Sequence, residues 1–328
     1  MSDYFSCKLN YEVEIVSLCS YSGSPYFPLH ESVSIKHCCL DWDKNIQKRR
    51  RKVIRQLLSE TDADIITCNV DTGAEALLYK HLFKGKLILT QHSTCNYYSV
   101  KRRVVNALIS RFADAFVVLT EYDQKNYRKA LCKAQVIPNT SFVPVSKRSD
   151  LQEPMLMAMG RMEPEKGFDL LIDAFAMVAP KHRDWKLFIC GDGSLSENYK
   201  KRVVDLGIEN RVVFPGFVSA TDYMSRASGF ILSSRKEGFP IVILEAIAHG
   251  LPIVAFQLPS VQEIFKDGGA LIAPCEDIHT LADRMDHLMG SANLRSQLNQ
   301  KSLEVHERYT VDAIAQQWAE LFQQVLKK

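Results

Sequence analysis

Nowhere does the chain hold an apolar run approaching the roughly 20 residues that a spanning helix needs, and no signal peptide is visible at its start. Internal repeats and low-complexity tracts are missing too, so a solenoid or a compositionally biased tail is not the frame for this sequence. The nine cysteines show neither metal-type spacing nor a regular framework. Cys38 and Cys39 are adjacent, the rest are scattered, and several, such as Cys68 and Cys190, fall in apolar strands. Reduced core thiols are therefore expected, and with them a cytosolic setting. No Ser/His/Asp or Cys/His arrangement stands out.

What is present is the composition of a soluble globular protein, 46% hydrophobic and 24% charged. At 328 residues the chain suits two domains of about 150 residues each. Strand and helix patterns alternate throughout, which predicts an α/β class with parallel sheets. In the first half, strands are expected at Glu12 to Leu18, Asp64 to Cys68, Lys86 to Thr90, Ala115 to Leu119 and Ala134 to Ile137. Helices are expected at Lys44 to Leu58, Ala74 to Leu82 and Val100 to Phe112. The polar, proline-punctuated stretch from Pro138 to Pro154 reads as a linker. Beyond it come strands at Met155 to Met159, Lys186 to Cys190, Val212 to Phe214, Gly229 to Ser233 and Ile253 to Phe256. Helices lie between them at Gly167 to Val178, Glu197 to Leu206 and Ile241 to Ala248, followed by Thr280 to Leu288 and Val311 to Leu326.

The net charge of +3 hides an asymmetry. Residues 1–150 carry 22 Lys and Arg against 15 Asp and Glu; residues 151–328 carry 19 against 23. Much of the excess lies in Lys48, Arg49, Arg50, Arg51 and Lys52 and in Lys101-Arg102-Arg103. Such a run is either a solvated helix face or a contact with anionic lipid headgroups. Nucleic acid fits less well, because the aromatics do not interleave with the basic residues.

The most informative stretch runs from Ser233 to Ala246. A buried strand ends in small polar residues, Pro240 suits the first position of a helix, and Gly250 and Pro252 stop that helix before the next strand. The unit is βαβ, so its loop falls at the carboxyl end of a parallel sheet, where ligands of open α/β sheets bind. Backbone N–H groups at Gly238 and in the first helical turn favour a phosphate. Glu237 lies in the loop, and Glu245 lies one turn into the helix on the same side as Ile241. An anion site ringed by two acceptors suits a sugar nucleotide. An ordinary turn with a solvated Glu245 is the plainer alternative.

A second stretch, Met157 to Leu171, ends a strand at Gly160 and sets Arg161 and Lys166 around a turn. There an arginine fork and a lysine point charge can neutralise a diphosphate. Gly191-Asp192-Gly193-Ser194 is a further strand-to-helix turn, weak as a signal when alone.

Together these stretches resemble the family-four retaining glycosyltransferases, which have the GT-B fold. Glu237 to Glu245 resembles the family's E-x7-E signature, and the match continues through Ala246, Gly250, Leu251-Pro252 and Val254. Gly160 to Gly167 resembles its G-R-(x)4-K-G motif, and Phe214 to Val218 its F-x-G-x-V segment. The resemblance implies two Rossmann-like domains facing a cleft: residues 1–147 for the acceptor, 148–310 for the nucleotide sugar, and 311–328 as a helix crossing back. It implies that Glu245 holds the nucleotide ribose and Glu237 lies by the donor sugar. Arg161 and Lys166 would stabilise the departing diphosphate. Gly191 would shape the donor cleft, and Val218 and its neighbours would lie against the base. Gly238, Phe239, Ile241 and Val242 would complete the nucleotide-sugar site. His92 follows the strand Lys86 to Thr90, as a family histidine near donor sugar and acceptor does, so a hydrogen-bonding role is expected for it. His249, in the helix stop, is expected to be structural.

Asp41-Trp42-Asp43 and Asp62-Ala63-Asp64 spell D-x-D, the metal–diphosphate motif of the other main transferase fold. The first precedes a helix and the second precedes a strand, at the wrong sheet edge, so no required metal and no cofactor are expected. The family normally opens with a strand and a Gly-Gly loop. Here Phe5, Leu9 and Tyr11 to Val16 align with the end of the following helix and the second strand, so the first strand and Gly-rich loop are expected to be absent. A misplaced start codon, a truncated gene and a divergent domain all fit that departure.

The sequence thus points to a hexosyltransferase of the EC 2.4 class. It would move a hexose from a nucleotide sugar, expected to be UDP-linked, to a glycan or lipid-linked acceptor in bacterial surface polysaccharide synthesis, such as O-antigen, capsule or lipopolysaccharide. Its place would be cytoplasmic or peripheral on the inner face of the plasma membrane. An epimerase of the same fold is disfavoured by the E-x7-E with Arg161 and Lys166. A catalytically silent sugar-nucleotide-binding protein or partner subunit is the alternative, resting on the departure at the start.

Overall fold

The structure is a computed structural model describing residues 1–19, 29–40, 46–129, 132–141 and 145–327. It divides into two compact units: Met1–Ile137 with Val311–Lys328, and Pro138–Thr310.

The first unit runs α1 (Ser2–Leu9), β1 (Val13–Cys19), β2 (Val33–Leu40), α2 (Ile46–Glu60), β3 (Ile65–Asn69), α3 (Val70–Leu78), β4 (Lys86–Gln91), α4 (Val100–Ser110), β5 (Ala115–Val118), α5 (Glu121–Lys129) and β6 (Gln135–Val136). β3, β4, β5 and β6 form a parallel sheet in that order. Its interior strand β4 buries Leu87, Ile88 and Leu89 completely, as a strand covered on both faces must. β1 and β2 form a separate parallel pair, with Val13 beside Val33 and Ile15 beside Ile35. β2 was not foreseen from the sequence: its VSIKHCCL breaks the alternation that β1 displays.

Three helices are linked through α3. Arg50 on α2 donates to both oxygens of Glu75, at 2.6 and 2.9 Å, and Arg102 on α4 donates to Asp71 at 2.6 Å. Glu75 is buried, so its charge has to be paired. α5 is strongly polar and holds its place through buried Asp123, which accepts from Thr120 Oγ1, Thr94 Oγ1 and the Cys95 amide.

The second unit runs β7 (Met155–Met159), α6 (Phe168–Val178), β8 (Lys186–Cys190), α7 (Ser196–Asp205), β9 (Val212–Gly216), α8 (Ala220–Met224), β10 (Gly229–Leu232), α9 (Ile241–Ala248), β11 (Ile253–Phe256), α10 (Pro259–Ile264), β12 (Ala270–Ala273), α11 (Ile278–Gly290) and α12 (Ala292–His306). Its strands lie parallel in the order β12-β11-β10-β7-β8-β9. The chain therefore winds outward from β7 through β8 to β9, then returns to the other side of β7 and winds outward through β12. Strand order reverses between β7 and β10, and such a switch point opens a crevice at the carboxyl ends of the strands. Leu156, Ala158, Leu187, Ile189, Ile231 and Val254 form the sheet's part of the core, closed by Leu171, Phe175, Leu281, Met285 and Leu288 from α6 and α11.

Residues read as linker are tied to this unit. Thr140 Oγ1 donates to the Tyr309 carbonyl at 2.6 Å, and Ser149 Oγ donates to the Ala227 carbonyl at 2.5 Å. α13 (Val311–Leu326) belongs to the first unit, where Phe322 lies 5.4 Å from Phe5. Among the described residues no helix is long and apolar enough to cross a membrane. Cys7, Cys38, Cys39, Cys68, Cys95, Cys132, Cys190 and Cys275 are free thiols.

Candidate functional site

Two strands flank the switch point, and each ends in one of the two informative motifs. β7 stops at Met159, and Gly160 and Arg161 follow; β10 stops at Leu232, and Ser233 to Glu237 follow. The loops cross-link to each other. Lys166 Nζ donates to Glu237 Oε1 at 2.7 Å, and Ser234 Oγ donates to the same oxygen at 2.7 Å. Ser233 Oγ donates to the Lys166 carbonyl at 3.0 Å. Gly167, at φ 63°, sits so close that a Cβ there would lie 2.1 Å from the Ser233 carbonyl oxygen. Only glycine serves at that position, by conformation and by space.

A second tie was not legible beforehand. Arg235 donates to both oxygens of Asp169, at 2.9 and 2.7 Å, and to the Pro164 carbonyl at 2.8 Å. The guanidinium beside it holds the Asp169 carboxyl below the usual carboxylate range, against the opposing pull of its own burial. Arg235 thus braces the loop that carries Glu237 against the turn that carries Lys166. An Arg and an Asp 66 positions apart offer no spacing rule by which sequence could pair them.

Arg161 is exposed, with a 3.4 Å contact to Glu165. Its reach toward a ligand is therefore unencumbered by a strong internal pair. Pro240 precedes α9 without any side-chain cap, so the amides of the first turn have no side-chain acceptor there. Ile241 is exposed at that end, Val242 and Gly238 are half-buried, and Phe239 is buried with its ring 5.8 Å from Tyr309. Phe239 can offer a ligand only its backbone. Glu245, a turn further along, is half-buried and forms no ion pair among the described residues. Burial alone pushes its carboxyl up to about 7.

Beside this cluster the loops after β7, β8 and β9 knit together. The Met162 amide donates to the Asp192 carbonyl at 2.8 Å, and the Gly191 amide to the Gly216 carbonyl at 2.8 Å. Gly191, at φ 123°, leaves no room for a Cβ, which would meet the Gly160 carbonyl at 2.1 Å. Glu163 accepts from the Ser194 amide at 3.1 Å and from Ser194 Oγ at 2.7 Å, and these bonds lower its pKa. The loops border an open pocket of about 310 Å³ lined by Met162, Gly191, Ser194, Lys200, Phe214 and Gly216. Val218 is half-buried just beyond β9.

The remaining candidates lie elsewhere. His92 stands at the carboxyl end of β4 in the first unit, with Nε2 3.2 Å from Thr90 Oγ1, and surrounding protein lowers its pKa. His249 is fully buried, with Nδ1 2.8 Å from the Glu245 carbonyl oxygen. Asp62 and Asp64 precede β3 and are exposed, while Asp41 and Asp43 lie outside the described residues. Of the basic run on α2, Arg50 is committed to Glu75 and Arg51 Nε lies 3.9 Å from the same carboxylate; Lys48 and Lys52 are exposed.

Residues 141–305 match the family model of Glycosyl transferases group 1. The chain belongs to this family. It is 30% identical over 331 residues to an uncharacterized glycosyltransferase of Haemophilus influenzae, covering 95% of this chain and 91% of that protein. It is 27% identical over 333 residues to the amylovoran biosynthesis glycosyltransferase AmsD of Erwinia amylovora, with coverages of 95% and 91%. Among solved structures, HepE of Anabaena in complex with UDP superposes with a TM-score of 0.77 at 19% identity, covering 96% of this chain and all of that one. The α/β architecture with parallel sheets is that of GT-B glycosyltransferases. In this glycosyltransferase the family match falls wholly within the second unit, on the sheet whose switch point carries Lys166 and Glu237.

Proposed function

We propose that the chain is a retaining hexosyltransferase that takes a UDP-linked hexose and passes it to a glycan acceptor in bacterial surface polysaccharide synthesis. The observation that carries this reading is the Lys166–Glu237 pair at the switch point. It sets a cation and a carboxylate side by side at the carboxyl ends of β7 and β10, next to the uncapped start of α9. A nucleoside diphosphate suits such a place: the phosphates would take Lys166, Arg161 and the first amides of α9. As the glycosidic bond breaks, negative charge grows on the leaving diphosphate, and those groups stabilise it without metal. Glu245 would accept the ribose hydroxyls, and Gly238, Ile241 and Val242 would present backbone and small apolar surface to the donor. The base would enter the pocket beside Gly191, Phe214 and Gly216, near Val218.

Glu237 would face the donor sugar, accepting its hydroxyls. His92 is assigned to the acceptor side, as a hydrogen-bond donor from the first unit. The relative AmsD supports the polysaccharide setting by its name, and HepE supports UDP by its bound ligand. A place at the inner membrane surface is supported by the exposed Lys48 and Lys52 on α2.

The test is incubation of the full chain with a panel of nucleotide sugars and measurement of nucleoside diphosphate release. Release from UDP-hexoses, with the anomeric configuration of the donor kept in the product, is expected. Tight binding of UDP-sugars with no release from any donor would favour the silent sugar-nucleotide-binding reading instead.

A further inference from the structure

α4 is built inside out. Its buried side carries Asn106 and Ser110, which are 2% and 3% exposed, beside Ala107. Its outer side carries Val100, Val104, Val105, Leu108 and, two residues past the helix end, Phe112. Val100 is 65% exposed, Leu108 47% and Phe112 72%. At about 100° per residue these five positions fall within one arc of the helix. A surface helix of a water-soluble unit has the opposite arrangement, and clustered large apolar side chains on a surface mark a contact.

Charge says with what. From Val100 to Phe112 the sequence holds Lys101, Arg102, Arg103 and Arg111 and not one Asp or Glu. Arg102 ties α4 to Asp71 on α3, whereas Lys101 and Arg111 are exposed and form no ion pair among the described residues. Both lie on the apolar arc. Cations set among valine, leucine and phenylalanine suit a helix lying in a membrane interface, with apolar groups among the acyl chains and cations among anionic headgroups.

We propose that the outer face of α4 is a lipid-insertion element that seats the first unit in an anionic membrane leaflet. It acts independently of the α2 run, whose contribution is electrostatic only, and independently of glycosyl transfer. Leu108 and Phe112 enter the acyl region, and Lys101 and Arg111 hold the headgroups.

The experiment uses the full chain and vesicles of phosphatidylcholine with or without phosphatidylglycerol. Wild type should bind the anionic vesicles, and salt should weaken this without abolishing it, since the apolar part is not screened. A Leu108→Ser/Phe112→Ser double variant should lose about tenfold or more in vesicle affinity while melting like wild type, because both side chains are exposed. Lys101→Glu/Arg111→Glu should lose the preference for phosphatidylglycerol. In a Phe112→Trp variant, the emission that exceeds wild type should shift to the blue on adding anionic vesicles. Wild-type-like binding by the serine double variant, with no shift of the added tryptophan, overturns the proposal. So does a wild-type dimer that the serine variant dissolves, which would make the arc an interface between copies.

Discussion

Lys166 Nζ and Glu237 Oε1 lie 2.7 Å apart although 71 positions separate them in the chain, and both side chains are largely buried. The pair ties the β7 turn to the β10 loop across the point where strand order reverses. Removing one partner strands a buried charge, whereas removing both does not. Lys166→Ala should therefore lower the unfolding free energy by about 1–3 kcal/mol. Lys166→Ala/Glu237→Gln should recover most of that loss, while UDP affinity stays low in both. Thermal melts and UDP titration calorimetry check the two halves separately. A double variant as unstable as the single one would mean that the pair is not what holds the loops.

Arg161 offers the contrast, because it is exposed and its contact with Glu165 is 3.4 Å long. Arg161→Ala should leave the melting curve unchanged. Turnover should drop by the worth of one charge-assisted hydrogen bond, about 1.5–3 kcal/mol or roughly 10- to 150-fold. Loss of folding with the same loss of turnover would return Arg161 to a structural role.

The turns that flank the switch point were legible in the sequence because each motif sits at a strand end, where short-range signals are strong. Gly167 and Gly191 mark backbone positions that tolerate no Cβ, and Pro240 marks a helix start. Arg235–Asp169 was not legible, since only the folded sheet brings positions 235 and 169 together. Elements without a clean hydrophobic period were missed as well. α12 spreads its few buried residues, Leu298, Ser302 and Val305, through a polar sequence, and α5 buries only Asp123 and Tyr127. α3 begins at Val70 rather than Ala74, because Asn69 accepts from the Asp71 amide and caps the helix earlier than its apolar stretch suggests. The inverted face of α4 escaped for the reverse reason. Its apolar period predicts a helix correctly but says nothing of which side meets water.

Turnover should survive excess chelator. On the proposed reading, Arg161, Lys166 and the amides at the start of α9 would supply the positive potential for a diphosphate, and a divalent ion would have no part in that task. Activity lost in EDTA and restored by magnesium or manganese would show that the diphosphate is held differently.

Among the described residues β1 and β2 pair only with each other, and a two-stranded sheet is marginal on its own. Their amide protons should exchange well before those of β7, β8 and β10 in the six-stranded sheet. Hydrogen exchange read by mass spectrometry distinguishes the two regions. Equal protection of both would mean that β1 and β2 open only with the whole unit.

Glu245 makes stability depend on pH in a direction opposite to that of an ion-paired carboxylate. Burial lifts its pKa from 4.5 to about 7, so the folded chain binds its proton more tightly than the unfolded chain does. Its contribution is thus complete below pH 4.5 and is lost as pH rises through about 7. The shift sets an upper limit of about 3 kcal/mol on that loss. Glu245→Gln, which cannot ionise, should remove this component, so that the variant gains on wild type steadily between those two pH values. UDP affinity should move the other way. In wild type it should rise as pH passes through 7, because the carboxylate is the better acceptor for ribose hydroxyls. In Glu245→Gln it should be weak at every pH. Denaturant unfolding of both proteins across this range, with UDP titration at each pH, measures the two trends. Parallel stability curves for wild type and variant would show that Glu245 is ionised and well solvated in the folded chain.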